Sequence, residues 1–305
     1  MADLLRSKKT AAEQKENFMS RYIALNYWVF GGYEGTRTPQ EFIDFAAEKK
    51  IDGVEFTIGS GFSFDASEKE CAAIRAHAEK KGVGMRTLCT DSGWKCPLTS
   101  PDPTVRENAM EFARKYLQIA NWLGAETILF VPGATTVPWD DAFVKTSYKT
   151  AWENTVAGLN ELIPLAEKLK VNIAVENVWN RFLISPMEWK FFLDQFQSEY
   201  LGMYFDPANA CLTGMPEDYP ELVGDRIKAI HIKNFKRTDC GGGLHGFGED
   251  IFDGDVNWKN FFAVMDQYNS TLPYTVEMVP YCRLPERVVP DYDLSCHMTE
   301  QMKEL

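Results

Sequence analysis

From Tyr22 onward, short apolar runs alternate with longer segments whose apolar residues recur every three or four positions. The short runs are rich in β-branched and aromatic residues and too brief for helices, so they read as strands buried on both faces of a parallel sheet. Eight can be marked, at 22–30, 53–58, 83–88, 127–131, 171–176, 201–205, 227–231 and 274–276, the first stopped by Gly31-Gly32. Between them lie helix signatures. Thr38-Pro39-Gln40-Glu41 and Ser185-Pro186-Met187-Glu188 each combine an N-cap hydroxyl, Pro at the first helical position and Glu at the third, and Ser67 with Glu70 repeats the capping box. Asp102-Pro103 opens a long helix with Val105, Ala109, Phe112, Tyr116 and Ile119 as its apolar stripe, and Gly82 closes the helix before it. A helix over 148–170 is expected to bury Trp152, Val156, Leu159 and Ile163, and one over 257–268 to bury Trp258, Phe261, Phe262 and Met265.

Eight strands alternating with helices over about 260 residues is the count of an α/β (β/α)8 TIM barrel. The chain is accordingly divided into a polar arm, 1–20, and a single catalytic barrel domain, 21–305, with a C-terminal extension. An open doubly wound sheet is the alternative. Its dinucleotide fingerprint is missing, because Gly241-Gly242-Gly243 follows no clear strand-to-helix turn.

Composition changes this picture only by exclusion. A net charge of -12 argues against nucleic acid or an anionic membrane as partner. No apolar run approaches the roughly 18 residues of a membrane span. The first residues lack the apolar core of a signal peptide. Seven cysteines, an odd number without a C-x-x-C pair, read as reduced thiols of a cytoplasmic protein.

The candidate chemistry lies where strands end. The fifth ends in Glu176, the sixth runs into Asp206, the seventh into His231 and the eighth into Glu277. In a barrel these ends converge on one face. Three carboxylates gathered without a cation would repel one another, and a divalent ion removes the conflict. Three carboxylates and an imidazole with open positions suit one Mn²⁺, or Co²⁺ or Mg²⁺, better than a structural zinc. Glu55, also within a strand, reads first as an ion-pair partner and only second as a site residue. Aromatic side chains near strand ends suit the C–H faces of a sugar, with Trp28 and Trp179 the best placed.

Three segments carry a resemblance: Glu176-Asn177-Val178-Trp179-Asn180-Arg181-Phe182, Tyr204-Phe205-Asp206-Pro207-Ala208-Asn209 and His231-Ile232-Lys233-Asn234-Phe235-Lys236-Arg237. Over about residues 20 to 290 the chain resembles the xylose isomerase-like family of sugar isomerases and epimerases, most of all the L-ribulose-5-phosphate 3-epimerases and D-tagatose/D-allulose 3-epimerases. The resemblance implies that Glu176, Asp206, His231 and Glu277 bind the metal, that Glu176 and Glu277 act as the two bases, and that Arg237 contacts substrate oxygens. It also implies a small sugar or sugar phosphate as substrate and a homodimer or homotetramer. Two positions depart from the pattern: the family's His three residues after the metal Asp is Asn209 here, and its second Glu is Phe182. A phosphorylated sugar would draw on Arg181, Lys233, Lys236, Arg237, Arg283 and Arg287. The expected reaction is ketose 3-epimerisation by two-base proton transfer through a metal-stabilised enediolate. An aldose–ketose isomerase and a lyase of the inosose dehydratase or C-glycoside-cleaving type are the alternatives, with His245 as an extra substrate-binding acid.

Overall fold

In a computed structural model, which describes residues 21–239, 246–248, 250–268, 271–278 and 292–305, each strand pairs in parallel with the next until the last meets the first. The strands are β1 (Ile23–Asn26), β2 (Gly53–Ile58), β3 (Thr87–Thr90), β4 (Thr127–Phe130), β5 (Asn172–Glu176), β6 (Leu201–Phe205), β7 (Ile227–Ile232) and β8 (Tyr274–Val276). The ring closes where Ile23, Ala24 and Leu25 of β1 lie beside Tyr274, Thr275 and Val276 of β8. The expected (β/α)8 barrel is the fold.

The two-residue period of the strands sorts their side chains into two layers. Ile173, Val175, Met203, Phe205, Ile230, Ile232, Tyr274 and Val276 point outward into the large apolar layer beneath the helices. Ala174, Tyr204 and Ala229 point inward and join Cys89, Leu129 and Val131 in a second, smaller cluster inside the barrel. Two residues beyond Ala174, Tyr204, Ala229 and Thr275, the same inward direction is taken by Glu176, Asp206, His231 and Glu277. The inner cluster is thus the floor on which those four stand.

The three capping boxes form as read: Thr38 with Glu41, Ser67 with Glu70 and Ser185 with Glu188 exchange side-chain and backbone hydrogen bonds. Asp102 Oδ1 accepts from Thr104 N at 2.8 Å to start Pro103–Leu123, and Gly82 ends Glu68–Lys81 in the left-handed region at φ 70°.

Three expectations are corrected. The run 22–30 is not one strand, because Asn26 Oδ1 accepts from Trp28 N at 2.8 Å and caps a short helix, Tyr27–Gly31. The third strand starts later than expected, at Thr87, with only Gly84 bridging earlier to Gly53. In Tyr148–Leu169 the buried face is Ala151, Thr155, Gly158, Leu159, Leu162 and Ala166, so Trp152, Val156 and Ile163 stand only half-buried at its margin. Small residues let that helix approach closely; a Cβ at Gly158 would come within 2.6 Å of Leu98 Cδ2. The arm 1–20, His245, Arg283 and Arg287 lie outside the described residues.

Candidate metal centre

Glu176, Asp206, His231 and Glu277 are all buried and each offers a ligand atom within 4.8 Å of the others. β5 to β8 are consecutive in the ring, so Glu176 and Glu277 stand three strands apart around a rim of eight. His231 is the hub. Its Nε2 is 2.9 Å from Glu55 Oε1 in the barrel interior, and its Nδ1 faces Glu176 Oε1 at 3.5 Å and Glu277 Oε2 at 3.3 Å. Glu55 is fully buried and held from three directions: Asn26 Nδ2 donates to Oε1 at 2.8 Å, the Tyr204 hydroxyl donates to Oε2 at 2.6 Å, and His231 faces it.

Electrostatics follow from this packing. Burial alone would raise the Glu55 carboxyl, but the His231 charge and the hydrogen bonds from His231 and Tyr204 more than offset it and hold it below its ordinary value. Burial likewise opposes protonation of His231, yet Glu277 and Glu55 together carry the imidazole well above its usual range. Burial pushes Glu176 up to about 7, tempered by His231 and Lys233, and it raises Asp206 in the same way. Lys233, itself buried, places Nζ 2.8 Å from both Asp206 Oδ2 and Glu277 Oε2.

The fit to a divalent ion is decided by His231 Nδ1. It is buried, and none of its close carboxylate neighbours is oriented to hydrogen-bond it; Asp206 Oδ2 is in the same state despite its ionic contact with Lys233. Orphaned polar atoms are costly. Separations of 3.3 and 3.5 Å are near those of neighbouring ligands around a cation with bonds of about 2.1 Å, which stand about 3 Å apart. A hard oxygen-rich set with one imidazole, whose other nitrogen is fixed by a carboxylate, is an arrangement for a divalent metal. The residues present fit the ion.

The remaining expected residues are placed unevenly. Asn209 backs the site: its backbone N donates to Asp206 Oδ1 at 2.9 Å and its side chain donates to Asn177 O at 2.9 Å. Asn177 in turn brackets Asp206, accepting from its N at 2.8 Å and donating to its O at 2.7 Å. Trp179 is wedged edge-on against Phe235, and Trp28 leans on Tyr33 at 5.4 Å; each indole N–H is buried without a hydrogen-bond partner. Arg237 is tied to Asp255 through its backbone N and Nε, at 2.7 and 3.0 Å. Phe182 is 1% exposed and packs with Tyr148, Trp152 and Phe192 in the helical layer, which explains the missing carboxylate: the side chain at this position faces away from the site. Lys233, read as a phosphate contact, instead pairs with Asp206 and Glu277; that pairing and the orienting role of Glu55 are what the strand-end reading missed. The available signal was a Glu in the middle of an apolar strand, between Val54 and Phe56.

A family model described as xylose isomerase-like TIM barrel matches residues 43–293. An L-ribulose-5-phosphate 3-epimerase, UlaE of Salmonella paratyphi C (strain RKS4594), is 26% identical over 223 residues, spanning 69% of this chain and 70% of its own. Among solved structures, D-psicose 3-epimerase in the presence of D-fructose superposes with a TM-score of 0.75 at 16% identity, covering 93% of this chain and 97% of the other. D-psicose 3-epimerase from Clostridium cellulolyticum H10 with D-tagatose gives 0.73 at 17% identity, over the same shares.

Proposed function

The chain belongs to the xylose isomerase-like TIM-barrel family, and from that premise we propose that it is a divalent-metal-dependent epimerase of sugars or sugar phosphates, of the ketose 3-epimerase type. The observation that carries the reading is the partnerless His231 Nδ1 facing two buried glutamates, with Asp206 completing the set. The 3-epimerase descriptions of the UlaE relative and of the D-psicose 3-epimerases supply the reaction class. Five described cysteines are free thiols, in keeping with a cytoplasmic setting.

Glu176, Asp206, His231 and Glu277 would hold the ion, with Mn²⁺ the favoured metal. Such a cation, when bound, supplies positive charge that favours ionisation beside a substrate carbonyl. Glu176 takes the proton from the carbon next to the ketone in one direction, and Glu277 does so in the other. Their places three strands apart let the two carboxylates address a chain lying between them from different sides. Glu55 keeps the imidazole of His231 in one tautomer and orientation. Trp28 and Trp179 present apolar faces to the sugar, Asn209 steadies Asp206, and the outer nitrogens of Arg237 orient hydroxyl or phosphate oxygens. His245, outside the described residues, is kept as a substrate contact.

The test is deuterium incorporation in D₂O with Mn²⁺-loaded protein and each of two C3-epimeric ketoses. Exchange at C3 in both is expected. Glu176→Gln and Glu277→Gln should each lower epimerisation by about 10²–10⁴-fold and leave one epimer exchanging in preference to the other. Label at C1 or C2 instead would make the protein an aldose–ketose isomerase.

A further inference from the structure

Beside the candidate metal centre a cavity of about 340 Å³ opens between the loops that follow β5 and β6. It adjoins the centre, because Asn177 and Asn209 line it and the same two residues hold Asp206 in place. Most of the remaining wall is apolar, Val178, Trp179, Leu183, Ile184 and Leu212 among it, with Arg181 at the rim. Ile184 and Leu212 are 46% and 39% exposed, an unfavourable state for aliphatic side chains at the mouth of a site that takes only hydroxyls and phosphate. The hydroxyls that reach the wall are already committed. Thr213 and Tyr219 both donate to Ile184 O, at 3.0 and 3.2 Å.

The loop is shaped for this purpose at a conformational cost. Arg181 and Leu183, neither of them glycine, sit at φ 53° and 56°, in the left-handed region that β-carbons disfavour. Phe182 between them plugs into the helical layer, so the alternation turns residues 181 and 183 toward the cavity. Three contacts enforce the turn: Asn180 Oδ1 accepts from Phe182 N at 3.1 Å, Asn180 Nδ2 donates to Gly133 O at 2.9 Å, and the Tyr148 hydroxyl accepts from Leu183 N at 3.3 Å. Among the described residues, the Arg181 guanidinium makes no salt bridge. A planar cation at the rim of an apolar slot stacks well on an aromatic face.

Resting on the sugar-epimerase reading above, we propose that this cavity is the subsite for a ring-sized apolar substituent of the sugar, so that the substrate is a ketosugar carrying an aromatic or similarly apolar aglycone. A dry cavity of about 150 Å³ already accepts benzene, and this one is larger. A phosphate would need several donors where the wall offers one guanidinium.

The test separates the subsite from the chemistry by measuring binding. The Mn²⁺-loaded full chain is titrated calorimetrically with the 3-keto derivatives of phenyl β-D-glucopyranoside and of methyl β-D-glucopyranoside, ketosugars that differ only in the aglycone. The phenyl glycoside should bind at least about tenfold more tightly, the scale of a small apolar group entering a fitted pocket. Leu212→Glu and Ile184→Glu, both at partly exposed positions, should bring the ratio close to one while circular dichroism shows an unchanged melting profile. Equal affinities in the wild type, including no binding of either, or a ratio that survives in both variants, would overturn the subsite. So would tighter binding of L-ribulose 5-phosphate than of either glycoside, lost in Arg181→Ala. Failure of the epimerase reading shows elsewhere, as absence of C–H exchange in D₂O with every ketose, and leaves the affinity ratio standing.

Discussion

His231 Nε2 and Glu55 Oε1 lie 2.9 Å apart although 176 residues separate them in the chain. The contact fixes which imidazole nitrogen would be left for an ion, and it does so from the layer below the candidate ligands. Replacing Glu55 with Gln keeps the size of the side chain and removes its charge. Affinity for Mn²⁺ should fall about 10–100-fold, the usual effect of losing a carboxylate behind a ligating histidine. Calorimetric titration of Glu55→Gln checks this; an unchanged affinity would remove Glu55 from the site.

Stability of the metal-free protein should decline as pH rises from about 4.5 to 7. Burial raises Glu176 to about 7 in the folded state, so the folded chain holds a proton there that the unfolded chain has released. The stabilisation is complete below the unfolded value and is lost as pH rises through the folded one. Melting temperatures measured with a chelator across this range should fall toward neutrality and do so less in Glu176→Gln. A parallel pH profile in the two proteins would show that another group governs the slope.

Lys233 holds one ammonium against two of the carboxylates that the proposed ion would also need, Asp206 and Glu277. Lys233→Met leaves that negative charge buried and unpaired, a change that costs about 3–5 kcal/mol in comparable ion pairs. The metal-free variant should therefore melt well below the wild type, and Mn²⁺ should raise its melting temperature by more than it raises the wild type's. An equal rise in both would mean that the lysine and the ion do not share ligands.

Phe182 supports the strained turn through its aromatic neighbours. Phe182→Ala should cost about 3–5 kcal/mol, as for other fully buried aromatics, and urea denaturation gives the value. Phe182→Glu should be at least as damaging, since the side chain enters the helical layer and not the site. A stable Phe182→Glu protein would mean that the loop can turn this position toward the substrate.

How far the sequence revealed all this differed by layer. The strand ends were legible because four of them in succession carry a carboxylate or an imidazole, and a barrel brings such ends together whatever lies between them. The capping boxes were legible because they are local. Tyr27–Gly31 was misread because the Asn26 cap is a single side-chain hydrogen bond within an apolar stretch, and periodicity cannot see it. The buried face of Tyr148–Leu169 was misplaced by the weight given to Trp152 over Ala151 and Gly158; close approach to neighbours, not size, chose the face. Lys233 and Glu55 were hidden for a different reason. Their partners are set by side-chain direction across the ring, and no local pattern encodes it.

All four candidate ligands come from the second half of the chain, while Asn26 and Glu55, which set the imidazole, come from β1 and β2. The ring joins these halves at its last seam, β8 against β1. During synthesis Glu55 leaves the ribosome well before His231. A nascent or truncated chain lacking β7 and β8 holds Glu176 and Asp206 but neither His231 nor Glu277. Tight uptake of an ion by all four would therefore be coupled to completion of the ring, and the fraction of molecules carrying it would count those that have finished folding.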